Sequence, residues 1–302
     1  MLLILGFSDT VYNLRQPIMR IRVMNERDLP AGLRLNTLAG WNQTAADWHR
    51  FLEQSPNGCF VMEQDGTVVG TATTIDYERR FAWIGMVLVD PEFRKQGIGT
   101  QLLTKAIEHL DGRHIATMKL DATPQGKPLY AKLGFVTEYE IERWILNRPG
   151  HSNSSVPPPS PTGVTAESLQ QIFRLDRELF GADRSVLLRS LQQQFPEFAL
   201  AVSDEESLQS YCFGRHGLFA DHLGPWMARG HAVAETLVRS FLRQSSRETI
   251  IVDCLKANSV ALGLLPSLGF TFSRPLTRMV RGPNAYAGQP DLLCAILGPE
   301  FG

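Results

Sequence analysis

The sequence predicts an α+β (α/β) chain built as two tandem, related domains. Three observations carry that prediction. Apolar residues switch repeatedly between the two-residue period of strands and the 3.6-residue period of helices. A stretch rich in Ser and Pro, residues 150–163, cannot bury a core and divides the 302 residues into two parts of domain size. Two motifs of the first part recur in the second at one common offset, the mark of a repeat.

In chain order, residues 1–18 read as an N-terminal extension. Leu2-Leu3-Ile4-Leu5 is too short for a signal-peptide core and has no basic region before it. Met19–Val23 alternates as a first strand. Asn25 to Asp28 then caps a helix carried by Leu33, Leu35 and Leu38, and Thr44 opens a second helix that ends near Gln54. Three strands come next, Cys59–Met62, Val68–Ile75 and Phe81–Val89, the first two joined by the hairpin signal Asp65-Gly66. Ile98, Leu102, Leu103, Ala106, Ile107 and Leu110 form one face of the next helix. A strand at Ile115–Leu120, a short helix ending in Leu133-Gly134-Phe135, and a last strand from Val136 complete the first half.

The stretch Arg94-Lys95-Gln96-Gly97-Ile98-Gly99-Thr100 sits between a strand and a helix and points to phosphate. The first N–H groups of a helix have no partner inside it, and its dipole is positive there. Glycines let an anion approach those donors, and Arg94 and Lys95 add charge. A glycine-rich helix start packed closely against a sheet would carry the same residues. The Walker pattern is excluded because Ile98-Gly99-Thr100 stands where Gly-Lys-Ser/Thr is needed, and the three-glycine dinucleotide pattern because only two glycines are present.

This spacing resembles the Arg/Gln-x-x-Gly-x-Gly/Ala signature of the GCN5-related N-acetyltransferases (GNAT). Tyr130 before Leu133-Gly134-Phe135 resembles the second hallmark of that family. The resemblance covers Met19 to Arg148 and implies two GNAT-like domains, each a mixed, mostly antiparallel twisted sheet flanked by helices. Residues 19–149 would be the active acetyltransferase domain and residues 164–302 a degenerate copy. Acetyl-coenzyme A would be the co-substrate, held by Val87, Leu88 and Val89 along its pantetheine arm and by Arg94, Lys95, Gln96, Gly97, Ile98, Gly99 and Thr100 at its diphosphate. Tyr130 would be the catalytic acid. The resemblance implies an acceptor that is the primary amine of a small molecule or peptide; Trp41, Trp48 and Trp83 are candidates for its pocket. Asp121 could relay a proton or cap the turn at Thr123–Gly126. A non-catalytic acyl-coenzyme A sensor, and a protein acetyltransferase whose second domain grips its partner, are the alternatives.

In the second half, Leu268-Gly269-Phe270 repeats Leu133-Gly134-Phe135. At the same offset Arg229-Gly230-His231-Ala232-Val233-Ala234 falls opposite Arg94–Gly99. Ala232 then replaces Gly97, Leu265 replaces Tyr130, and Gly224-Pro225 is expected to break the strand opposite Val87–Val89. A closing strand is expected within Leu292–Leu297. The polar residues Arg215, His216 and His222 read as a solvated rim or as an acceptor-binding or dimerising surface, so a homodimer is admitted. The phrases Gly-Arg-His-Gly, Leu-Gly-Pro-Trp and Leu-Gly-Pro-Glu resemble a bacterial subgroup of the family.

A net charge of −1 gives no general attraction to nucleic acid or to an anionic membrane. Cys59, Cys212, Cys254 and Cys294 are scattered, without ligand spacing, and suit a reduced, cytoplasmic protein. No metal is expected.

Overall fold

The computed structural model describes residues 19–149, 162–204 and 207–302. The expected extension, and residues 150–161 of the expected linker, lie outside the described residues. The first half runs β1 (Met19–Val23), α1 (Leu29–Leu38), α2 (Ala45–Gln54), β2 (Phe60–Gln64), β3 (Thr67–Tyr77), β4 (Phe81–Val89), α3 (Ile98–Gly112), β5 (Met118–Ala122), α4 (Lys127–Lys132) and β6 (Val136–Asn147). The second half repeats that order. It runs β7 (Thr162–Gly163), α5 (Ala166–Phe180), α6 (Ser185–Gln194), β8 (Leu200–Ser203), β9 (Leu208–His216), β10 (Asp221–Ala228), α7 (His231–Gln244), β11 (Thr249–Leu255), α8 (Ser259–Ser267) and β12 (Thr271–Arg281), then adds β13 (Leu293–Ala295).

Local chemistry accounts for the elements. Asp65 and Gly66 turn the β2–β3 hairpin with left-handed backbone at both positions, φ 49° and 83°, as a two-residue turn requires. The six apolar residues of α3 are all buried, and the helix lies directly on β3: a Cβ at Gly70 would stand 2.8 Å from Leu102 Cδ1. Helices α4 and α8 end alike. Phe135 N donates to Tyr130 O, and Phe270 N to Leu265 O, each at 3.1 Å, across glycines with φ 86° and 88°. All four cysteines are buried and free. No helix of the described residues is long and apolar enough to cross a membrane.

The described strands form one sheet, in the order β1-β2-β3-β4-β5-β12-β6-β11-β13-β10-β9-β8-β7. This corrects the expectation that each half has its own sheet. Strand β6 does not pair with β5; it pairs with β11, while β12 takes the place beside β5. The sixth strand of each half, β6 or β12, therefore completes the other half's part of the sheet, and the two pair with each other at the centre.

Two buried ion pairs fix that exchange. Arg278 of β12 stands opposite Asp121 of β5 and grips it with Nε and Nη2 at 2.9 and 2.8 Å. Arg143 of β6 stands opposite Asp253 of β11 and grips it at 2.7 Å through both nitrogens. Both aspartate side chains are fully buried. A register slip of one residue would turn each arginine to the other face of the sheet. Burial by itself pushes the Asp253 carboxyl up, but Arg143 beside it holds it well below the usual carboxylate range. Its folded pKa thus lies below the unfolded value of about 3.9. The pair stabilises the fold above that pH and loses its contribution as pH falls below it.

Residues 19–149 alone would leave β5 without its outer neighbour and β6 without either. That fragment is expected to unfold without a cooperative transition in urea, and mixing it with residues 162–302 to restore one. A sharp transition of the isolated fragment would overturn the exchange. In the whole chain, Asp253→Ala leaves Arg143 buried without its carboxylate and should cost on the order of 3–5 kcal/mol, measured by urea unfolding.

A candidate active site between strands β4 and β5

Strand β4 bends where it gains one residue relative to β3. The register shifts between Thr71 and Thr73, which face Leu88 and Gly85. Met86 takes φ 49°, and Thr71 Oγ1 donates to Met86 O at 2.8 Å. Such a bulge kinks a strand and increases its twist. The consequence is visible on the other side. Only Ala82 and Trp83 pair with β5, opposite Met118 and Lys119. Beyond them the two parallel strands part, and among the described residues the β4 edge from Ile84 to Val89 has no strand partner on that side.

The wide end of that opening meets the turn from Asp90 to Gly97. Asp90 Oδ1 accepts from Glu92 N at 3.1 Å, and Arg34 forms an ion pair with Asp90. Lys95 and Gly97 both have left-handed backbone, φ 64° and 79°. Helix α3 starts at Ile98 with no side chain capping it. Arg94, Lys95, Gln96, Gly97 and Thr100 are exposed. Among the described residues, and apart from the adjoining backbone, a Cβ at Gly97 would find no atom nearer than 3.9 Å, and one at Gly99 none nearer than 3.6 Å. The helix start is therefore open rather than packed closely against its surroundings. Arg94 Nε donates to Val89 O at 3.2 Å. Free N–H groups, flanking cations and an open approach fit an anionic diphosphate.

The narrow end opens into a solvent-connected cavity that encloses about 490 Å³, open solvent included. Gly85, Met86 and Val87 form one wall, with Asp121 and Tyr130 across from them. Trp41 and Gln43 come from the loop between α1 and α2. Arg143 arrives on the exchanged β6, Arg274 and Leu276 on β12, and Pro299 and Glu300 from the segment after β13. The Tyr130 ring meets Phe135 edge-on, 6.2 Å between centroids. Among the described residues its hydroxyl has no hydrogen-bond partner, and burial pushes the phenol up to about 12.

The structure sorts the expected acceptor residues. Trp41 lines the cavity. Trp48 and Trp83 do not; both are fully buried, and Trp83 donates its indole N–H to Pro299 O at 3.0 Å. Asp121 reaches the wall but is held by Arg278, and the turn after it is capped by Thr123, whose Oγ1 accepts from Gly126 N at 3.2 Å. Sequence reading missed Arg143, Arg274, Gln43 and Glu300. The available signal was the trio of Gly-rich phrases, which meet in space. Arg215 Nη1 donates to Leu297 O at 2.7 Å and its Nη2 pairs with Glu300. A Cβ at Gly224 would collide with Ile296 O. Together they seat the chain's last residues in the cavity wall.

The second half differs at every corresponding point. Strands β10 and β11 pair at Asp221, His222 and Leu223 and then part, but β13 fills the gap, pairing with Trp226 and Met227 on one side and Cys254 on the other. Gly224-Pro225 does not break the strand. It marks a register shift, after which β10 continues to Ala228. The ungapped comparison of Ala232 with Gly97 also fails, because only Arg229 and Gly230 separate α7 from β10, where residues 90–97 separate α3 from β4. Leu265 is fully buried where Tyr130 reaches the cavity.

Comparisons with known proteins agree with this architecture. The acetyltransferase (GNAT) family matches residues 22–135 and an acetyltransferase (GNAT) domain matches residues 172–293. A holothin acyltransferase from Pseudoalteromonas is 26% identical over 87% of each chain. An uncharacterised N-acetyltransferase from Bacillus subtilis is 24% identical over 71% of this chain and 75% of its own. Among solved structures, a putative acetyltransferase from Pyrococcus horikoshii superposes with a TM-score of 0.79 at 22% identity, over 98% of this chain and 99% of its own. A tandem GNAT protein from the clavulanic acid biosynthesis pathway does so with 0.63 at 18% identity, over 88% and 100%.

Inorganic pyrophosphate added to the labelled protein is expected to shift the amide resonances of Gly97 to Thr100 and leave those of His231 to Ala234 unmoved. Shifts confined to the second set would contradict the placement of the anion site.

Proposed function

Since the chain belongs to the acetyltransferase (GNAT) family, with one such domain in each half, we propose that it transfers an acetyl group from acetyl-coenzyme A to the primary amine of a small molecule or peptide. The supporting observation is a single continuous path in the first half only. It runs from the uncapped start of α3, along the unpaired edge of β4, to the unpartnered hydroxyl of Tyr130. The relative named holothin acyltransferase matches most of both chains, which favours a small-molecule acceptor.

Acetyl-coenzyme A supplies the acyl group as a thioester. The N–H groups of Gly97 to Thr100, with Arg94, Lys95 and Gln96, would hold its diphosphate. The β4 edge at Val87 and Leu88 would orient the pantetheine arm as an added half-strand; the carbonyl of Val89 is already engaged by Arg94. A main-chain N–H of the bulge would meet the oxygen that gains charge as the amine attacks. Tyr130, a phenol that stays protonated up to about pH 12, would give its proton to the departing thiolate. In the second half β13 stands where that arm would lie, so chemistry belongs to the first half.

Tyr130→Phe is expected to lower kcat by about 10²–10⁴-fold in a free-thiol release assay over a panel of amines, with stabilisation by acetyl-coenzyme A retained. Gly97→Trp is expected to abolish that stabilisation while the protein stays folded. An unchanged kcat in Tyr130→Phe would remove the acid role and favour a module that binds acyl-coenzyme A without turnover.

A further inference from the structure

The charged groups in the cavity wall are not all paired. Arg143 is engaged by Asp253 and Asp121 by Arg278. Arg274 faces Arg143 across the β6–β12 pairing, next to a register shift, and is half-buried. Among the described residues it has no hydrogen-bond or ion-pair partner. Two like charges on paired strands repel, so Arg274 is a desolvated cation with no anion bonded to it; the Asp253 carboxylate, already gripped by Arg143, acts on it without a direct contact. Burial and the neighbouring Arg143 both pull its guanidinium pKa down, although arginine remains charged.

The same wall holds two orphaned acceptors. Glu300 is buried, with a side chain 2% exposed. Its Oε1 is paired with Arg215, but Oε2 is buried and has no donor. Gln43, also buried, has an Oε1 in the same condition. Leaving a buried acceptor unmade costs about 1–3 kcal/mol, more for a charged group. An ammonium offers three donors, the groups that such acceptors lack.

From this complementarity we infer that the acceptor is an aminocarboxylate, its ammonium held by Glu300 and Gln43 and its carboxylate by Arg274. The inference rests on the acyl-transfer reading and names the substrate class for that site. A polyamine would place a second cation against Arg274 and Arg143. A neutral amine would leave Arg274 without its anion. The site is assembled from both halves: Gln43 precedes α2, Arg274 lies on the exchanged β12, and Glu300 is delivered by the segment after β13. Loss of the ammonium proton to Glu300 would release the lone pair for attack on the thioester carbon. The C–N bond then forms, the C–S bond breaks, the sulfur takes the Tyr130 proton, and the nitrogen returns one proton to Tyr130.

The test is kcat/KM for a series of aminocarboxylates and diamines of graded length, each acid beside its primary amide. The wild type is expected to favour an acid over its amide by roughly 10–100-fold, the worth of a hydrogen-bonded charge. Arg274→Ala should collapse that ratio toward one, and Arg274→Lys should restore part of it. The Tm of Arg274→Ala should equal or exceed that of the wild type, since Arg274 has no partner to lose; a purely structural arginine would lower it. If the wild type acetylates amides or diamines as well as it does acids, or if Arg274→Ala keeps the ratio, the inference falls and the acyl-transfer reading stands. If no amine of any class releases thiol, the acyl-transfer reading falls and the inference with it.

Discussion

Arg143 and Arg278 each leave their own half of the chain to hold an aspartate in the other, and the rest of the molecule depends on those two grips. Each guanidinium is bidentate and each carboxylate fully buried. Desolvating four charges is expensive, and such pairs often add little net stability over apolar replacements. They do provide direction. With Asp121 and Asp253 inside the sheet, only a strand that delivers an arginine opposite them can pair there without leaving a buried charge unmatched. The exchange of β6 and β12 satisfies both aspartates at once.

That exchange turns two repeats into one body and makes the site composite. Strand β12 cannot sit beside β5 without bringing Arg274 and Leu276 to the cavity, and β6 brings Arg143 from its position between β12 and β11. The repeats then diverge in what occupies the gap between their parallel strands. In the first half the bulge at Met86 opens β4 away from β5, and no strand of the described residues enters the gap. In the second half the chain's own β13 enters the equivalent gap, and Ile296 N donates to Asp253 O at 3.0 Å. The segment after β13 runs back into the first half. Tyr77 donates to Phe301 O at 2.7 Å and Phe301 stacks on Phe51 at 4.7 Å, while Arg184 of the second half donates to Gly302 O at 2.5 Å. In the second half β13 fills the gap, and the segment after it completes the first half's cavity.

Much of this was legible in the sequence wherever the cause is local. The apolar face of α3, the Asp65-Gly66 turn, the repeated Leu-Gly-Phe helix ends and the glycines before α3 all depend on residues a few positions apart. The exchange was not legible, because β6 and β12 come after the same kind of helix end and nothing within either strand names its partner. Trp83 reads as an aromatic beside a slot, but its neighbour Pro299 is far along the chain. Gly224-Pro225 reads as a break, yet the β10 bend it marks is supported by β13 on its free side. Glu300 and Arg274 became visible only when topology brought three distant segments to one cavity.

The most direct test is a crystal structure of the chain with acetyl-coenzyme A. The diphosphate is expected on the main-chain N–H groups of Gly97 to Thr100, the pantetheine between β4 and β5, and the sulfur within reach of the Tyr130 hydroxyl, with β13 undisturbed. A ligand lodged between β10 and β11 with β13 displaced, or a diphosphate at the start of α7, would contradict that placement and the division of labour between the halves.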